Sequence, residues 1–347
     1  MIFGHGDDAY RYGDQVKINF SSNIPGFVDL SGLKEHLANH MDLISNYPEP
    51  EARELEEMIA AEEGLTPQQV MVTAGTTEAI YLIAQLYRGY ASVIPQPTFS
   101  EYASAAKQFD HTISNYNNDA MEYLPPDRVY WLCNPNNPTG KVMQKNLISY
   151  VIRHHNRYVF VVDQAYEDYT EYEMLHTREM QDCYHLLLLH SLTKRYCIPG
   201  LRLGYITGSP ILLDRLRQLR QPWTVNALAI EAGKYLIGNK VDVLPQPRRK
   251  EYLEEARRLH SELSKIEGLM LMESDANFML SYLQNTTSRE LKQWLIDNYG
   301  ILIRDASNFR GLDTQCFRVS AQTPEEDDML VTALTDYMSK VMLSHHV

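Results

Sequence analysis

The chain is short of positive charge, of cysteine and of long apolar runs, and each shortage excludes something. Its 32 Lys and Arg stand against 45 Asp and Glu, a formal charge of −13. A field of that sign repels phosphate backbones and anionic headgroups, so neither nucleic acid nor an anionic membrane is expected as a partner. Any phosphate that matters here must be gripped by a local pocket. The four cysteines (Cys133, Cys183, Cys197, Cys316) show no CxxC spacing, so neither a disulfide framework nor a zinc site is indicated and no metal is expected. No apolar stretch approaches the length of a membrane span. The opening "MIFGHGDDAY" lacks the basic-then-apolar pattern of a signal peptide. A soluble, cytoplasmic protein is the expectation.

What is present is ample material for a core, 44% hydrophobic over 347 residues, enough for one large domain and a smaller one. Short β-rich runs alternate with longer helical patterns, as in an α/β domain with a mostly parallel sheet. Strands are expected at 70–73, 91–95, 129–133, 158–163, 185–190 and 201–207. Helices are expected at 76–87 and 98–109, the second opened by a Thr98/Glu101 capping box. The C-terminal third reads as α+β. Its expected helices are 248–266 and 288–299, its strands 277–283, 301–305 and 316–321, and a final helix follows with Thr323 and Glu326 as its cap and Pro324 at its first position.

Polar or glycine-containing clusters follow five of the strands: "AGTT", "PTFSEY", "NPNNPTG", "DQAYEDY" and "SLTK". In open α/β sheets, ligands bind beyond the carboxyl ends of the strands. Five clusters at five such ends point to one shared site.

Within them, Lys194 follows the apolar "HLLLLHS". A lysine after a strand is commonly a solvated charge, but one in a buried segment needs a partner or a depressed pKa, and attachment to an aldehyde cofactor meets that need. Asp163 closes "YVFVVD". It reads either as a salt-bridge or cap residue, or as the partner of a protonated pyridine nitrogen. In the second case two charges ~4 Å apart at an effective dielectric of ~20 interact by about 4 kcal/mol. Tyr166 could donate to the phenolic oxygen of such a ring, although it is one of 23 tyrosines. Gly75-Thr76-Thr77 is either a plain N-cap or an anion site at a helix start. Ser191 and Arg202 flank Lys194 and could add a hydroxyl and a guanidinium to the same phosphate. Phe99 is either core or a face for a flat ring. Asn137 lies in a proline-rich turn from which it could reach the ring oxygen.

Together "NPNNPTG", "DQAY", "SLTK" and the Lys194–Arg202 spacing resemble the fold-type I pyridoxal-phosphate enzymes of the class I/II aminotransferase family. The resemblance implies a PLP-dependent transferase-like fold. Its parts would be an N-terminal arm (1–30), a large doubly wound domain with a mixed, mostly parallel sheet (31–235) and a small α+β C-terminal domain (236–347). It also implies a homodimer in which Tyr47 reaches the phosphate bound by the partner subunit. By residue matching, Lys194 is the Schiff-base lysine, Asp163 the pyridinium partner, and Asn137 and Tyr166 flank the ring oxygen. Phe99 stacks on the ring, and Gly75, Thr76, Thr77, Ser191 and Arg202 hold the phosphate. Two subgroups fit, the L-threonine-O-3-phosphate decarboxylases of cobalamin biosynthesis and the histidinol-phosphate aminotransferases. "PTFSEY", "RQPWTVNALA" and "ILIRDASNFRGLDTQCFRVS" look more like the former. The match implies substrate contacts from His5, Gly6 and Asn23, with Arg304 and Arg318 as fixed positive charge. The expected ligand is thus a small phosphorylated amino acid or amine.

Overall fold

The computed structural model describes residues 7–114 and 128–344. Expectations for His5 and Gly6 fall outside them.

A seven-stranded sheet runs through the larger part. Its spatial order is Val70–Thr73, Gly204–Gly208, Leu186–His190, Val159–Asp163, Arg128–Cys133, Ala91–Val93 and Thr112–Ser114. Gly204–Gly208 is antiparallel to both its neighbours, and the remaining pairings are parallel. The six other strands therefore share one direction, and all five polar clusters emerge at the same edge. The central strands are buried throughout, as continuous runs such as "LLLLH" demand when helices cover both faces. One face packs Met71, Ile80, Ile83, Trp131 and Leu213, and another layer packs Tyr130, Phe160, Leu186 and Ile152.

A second, antiparallel sheet has the order Arg304–Asp305, Cys316–Ser320, Phe278–Leu283 and Leu269–Leu271. Against it lie the helices Gln246–Leu263, Ser288–Tyr299 and Pro324–Ser344. The start of the chain joins this part, since Ile18–Asn19 pairs in parallel with Ile301–Leu302. Phe20 is fully buried in the same core as Phe278 and Phe317.

Several expected boundaries shift for local reasons. The helix expected from 98 begins at Glu101, and the capping box does not form. Thr98 instead donates to Asn136 Oδ1 (2.7 Å), and Glu101 accepts from Tyr81 (2.9 Å). The strand expected at 201–207 starts at Gly204, because Arg202 takes a left-handed turn (φ 59°). The run 301–305 is two short strands with different partners. The last helix starts at Pro324 as expected, with reciprocal bonds between Thr323 and Glu326 (3.2 and 3.3 Å). Among the described residues no helix is long and apolar enough to cross a membrane.

Candidate active site

At the carboxyl edge of the large sheet lies a cavity of about 530 Å³, within the range that holds a cofactor-sized molecule. The sheet side of its wall includes Thr76, Thr77, Phe99, Asn137, Asp163, Tyr166, Ser191, Lys194 and Arg202. The other side comes from both chain ends, with Ser21, Ser22, Arg304 and Arg318.

Asp163 ends its strand and is 4% exposed. Tyr102 donates to its Oδ2 (2.8 Å) and the Ala165 amide to its Oδ1 (3.0 Å). Burial pushes the carboxyl up to about 6, against the pull of those two donors. Behind it, His190 pairs with Glu167 (2.9 Å) and stacks on Tyr205, with ring centroids 4.5 Å apart. Burial pulls the imidazole pKa down, but the Glu167 carboxylate outweighs that pull and the net direction is up. Asp163 is thus a carboxylate in low dielectric, held by neutral donors and suited to a cation that arrives with a ligand.

Lys194 stands on the short turn Leu192–Arg195, opened by Ser191, whose hydroxyl accepts from the Lys194 amide (3.3 Å). Its Nζ donates to the Ser22 carbonyl (3.3 Å) and lies 5.7 Å from the Tyr166 ring centroid. The amine is therefore inside the cavity and not in bulk solvent.

Gly75 does not line the cavity but shapes it. Its φ is +77°, and an added Cβ would sit 2.7 Å from Arg202 Nη2. The missing side chain lets the guanidinium lie across the start of helix Gly75–Leu86, beside Thr76 and Thr77. A cation, a helix N-terminus and two hydroxyls form an anion cradle. Phe99 meets Tyr102 edge-on, with centroids 5.7 Å apart, and Tyr102 in turn stacks on Trp131.

Arg318 is 3% exposed and donates to Asn137 Oδ1 (2.5 Å) and the Ser21 carbonyl (2.5 Å), both neutral acceptors. Burial lowers its pKa to about 10. Because arginine only donates, this contact orients the Asn137 amide with its NH2 available to a ligand. Arg304 is 8% exposed, donates to Asn308 (2.8 Å) and lies 5.4 Å from the Phe309 ring centroid.

Asn23 and Tyr47, the second expected to serve the partner subunit, lie outside this cavity. Asn23 is fully buried at φ 60°, with a side-chain amide that bonds to nothing, and it does not line the cavity, although Ser22 and Ile24 on either side do. Tyr47 is 84% exposed and rests against Trp223, away from the cavity. Conversely, Tyr102 and the Ser21 and Ser22 carbonyls were not singled out from sequence. Tyr102 sits one turn after Phe99 and could have been found by that spacing. Backbone acceptors carry no residue-type signal.

A buried carboxylate awaiting a cation, an amine inside the cavity and an anion cradle fit pyridoxal phosphate. The profile of the family "Aminotransferase class I and II" matches residues 15–334. The chain belongs to that family. It is a pyridoxal-phosphate-dependent enzyme of fold type I. Among solved structures it is similar to an L-threonine-O-3-phosphate decarboxylase from Porphyromonas gingivalis. The TM-score is 0.89 and the identity 34%, covering 93% of this chain and 100% of that one. It is also 29% identical to the threonine-phosphate decarboxylase of Salmonella typhimurium over 343 residues, 94% of this chain and 93% of the relative. A histidinol-phosphate aminotransferase from a Thermoanaerobacter species is 30% identical over 311 residues, 85% of each chain.

Proposed function

We propose that the enzyme decarboxylates L-threonine O-3-phosphate to an aminopropanol phosphate. The observation that carries this reading is the pair of buried arginines, Arg304 and Arg318, in the cavity that also contains Lys194. They supply fixed positive charge for a substrate with two anionic groups, and the likeness to the Porphyromonas gingivalis structure favours the decarboxylase over its sister group.

In this reading Lys194 is the amine to which the cofactor aldehyde attaches, and Asp163 holds the pyridine nitrogen protonated. Tyr166 and the Asn137 NH2 face the ring oxygen, and Phe99 covers the ring. Thr76, Thr77, Ser191 and Arg202 take the phosphate, with Gly75 leaving room for the guanidinium. The bound cofactor supplies an electron sink for the pair left on the substrate Cα when one of its bonds breaks. The chain's own residues decide which bond that is. Arginines that fix the substrate's phosphate and carboxylate set the Cα–carboxylate bond where it can break. CO2 leaves, and the Lys194 amine, which lies inside the cavity, delivers a proton to Cα. The desolvated arginines act strongly because little water competes with them.

The proposal includes a homodimer and a cytoplasmic location. Ile44, Tyr47 and Trp223 are 65%, 84% and 47% exposed, an apolar surface that supports pairing of copies. Tyr47 there would serve the cofactor phosphate of the other copy. The contacts of His5, Gly6 and Asn23 with substrate belong to the same proposal, with Asn23 acting through the backbone that carries Ser22.

The test is release of CO2 from L-threonine phosphate with no keto acid present. Turnover only with histidinol phosphate and 2-oxoglutarate would instead establish the aminotransferase, a reading kept by the 30%-identical relative of that name.

A further inference from the structure

Away from the cavity, the helix Ser31–Asn39 with its C-cap His40 packs against helix Ala227–Gly238 and brings three metal-ligating side chains together. His36 and His40 are one turn apart on the first element, and Glu231 faces them from the second. One ligand atom from each lies within 4.8 Å of the other two. We propose that His36, His40 and Glu231 form a binding site for a divalent transition ion of the zinc class. This departs from the expectation drawn from cysteine spacing, because the donors are histidines at i and i+4.

The distances suit such an ion. His36 Nε2 lies 2.8 Å and His40 Nε2 3.9 Å from Glu231 Oε1. A tetrahedral zinc with ligands at about 2.0–2.1 Å places its donor atoms roughly 3.4 Å apart, between those two values. Both distances to Glu231 lie within roughly 0.6 Å of that spacing, and the ligand atoms of His36 and His40 lie within 4.8 Å of each other. A second observation bears on the tautomer. His40 Nδ1 donates to the His36 carbonyl at 2.8 Å. That bond fixes the ring and leaves Nε2 with its lone pair, the outer-shell arrangement common to metal-bound histidines. His36 ligates once its proton sits on Nδ1, and its ring is supported by stacking on Tyr235, with centroids 4.3 Å apart. All three groups are partly open to solvent, with side-chain exposures of 22%, 42% and 18%. Water can therefore supply the fourth ligand. Two imidazoles and one carboxylate select zinc, cobalt, nickel or copper over magnesium and calcium, which require oxygen donors. Bound there, the ion ties the two helices together just before Met41–Ser45, the turn that leads to Tyr47.

The test uses chelator-treated holoenzyme dialysed against buffered Zn2+, with bound metal counted by elemental analysis. The expected result is one ion per chain. His40→Ala and Glu231→Gln should each weaken binding by at least about 100-fold, beyond the ~10–100-fold typical of an outer-shell loss, while cofactor absorbance and turnover stay unchanged. Zinc X-ray fine structure on the unmodified chain should show two imidazoles, a readout that survives if a variant fails to fold. Sub-stoichiometric uptake, a shell without two imidazoles, or a loss below tenfold in both variants overturns the proposal. The last outcome would assign the ion elsewhere, for instance to the terminal His345-His346 pair.

Discussion

The two walls of the cavity carry opposite buried charges. On the sheet side, Asp163 is pushed up to about 6 by burial; on the side built from the chain ends, Arg318 is pulled down to about 10 by the same cause. Each is held by neutral partners: Tyr102 and a backbone amide for the anion, Asn137 and a carbonyl for the cation. Such groups cost stability in the ligand-free chain and lose that cost when an opposite charge arrives. The sheet wall is thus suited to a cationic ring and the other wall to an anionic substrate, so the two should fail differently when altered.

The largest failure expected is Lys194→Ala, which in the proposed function removes the attachment amine and the proton carrier together. Turnover should fall by at least about 10⁴-fold, with loss of the yellow lysine-bound absorbance. Asp163→Asn removes an interaction of about 4 kcal/mol, and kcat should fall about 10³-fold. The same residue provides a stability test. Its carboxyl titrates near 3.8 when unfolded and near 6 when folded, so the folded state binds more protons between those values. Its contribution therefore declines as pH rises through that window, by about 3 kcal/mol. Cofactor-free Asp163→Asn should accordingly unfold at higher denaturant than the parent above pH 6, and match it near pH 4. Cofactor affinity of the parent should weaken below pH 6, where Asp163 is protonated.

Arg318→Gln should lower kcat/KM about 100-fold, since breaking a buried charged contact costs roughly 2–5 kcal/mol, yet change cofactor affinity less than tenfold. Equal damage to cofactor binding would erase the contrast between the walls. The smallest effect is Gly75→Ala. It combines a left-handed backbone position with a clash at Arg202, and should weaken cofactor affinity about tenfold without altering the substrate specificity ratio, as a cofactor titration would show.

These walls also differ in how far the sequence discloses them. Asp163, Lys194 and Thr76 sit directly after apolar strands, where chain direction alone sends them to one edge of the sheet. Most of the strand pattern was therefore legible, but the short strands Ile18–Asn19, Thr112–Ser114 and Leu269–Leu271 were not expected, and the turn at Arg202 delays the start of another. The Thr98/Glu101 pair had capping spacing, but tertiary partners claimed both side chains. On the second wall the sequence named Arg304 and Arg318 through resemblance only. What holds Arg318, the Ser21 carbonyl and Asn137, lies 297 and 181 positions away, and no local pattern encodes such a contact. Asn23 shows the same limit: its backbone takes a left-handed turn, and its buried amide does not line the cavity.

The pairing of Ile18–Asn19 with Ile301–Leu302 has a consequence for biosynthesis. A nascent polypeptide released only as far as residue 300 already contains the seven-stranded sheet and Lys194, but neither Arg304 nor Arg318. The wall around Arg318 can therefore close only when that residue returns to the Ser21 carbonyl, 297 positions earlier in the chain.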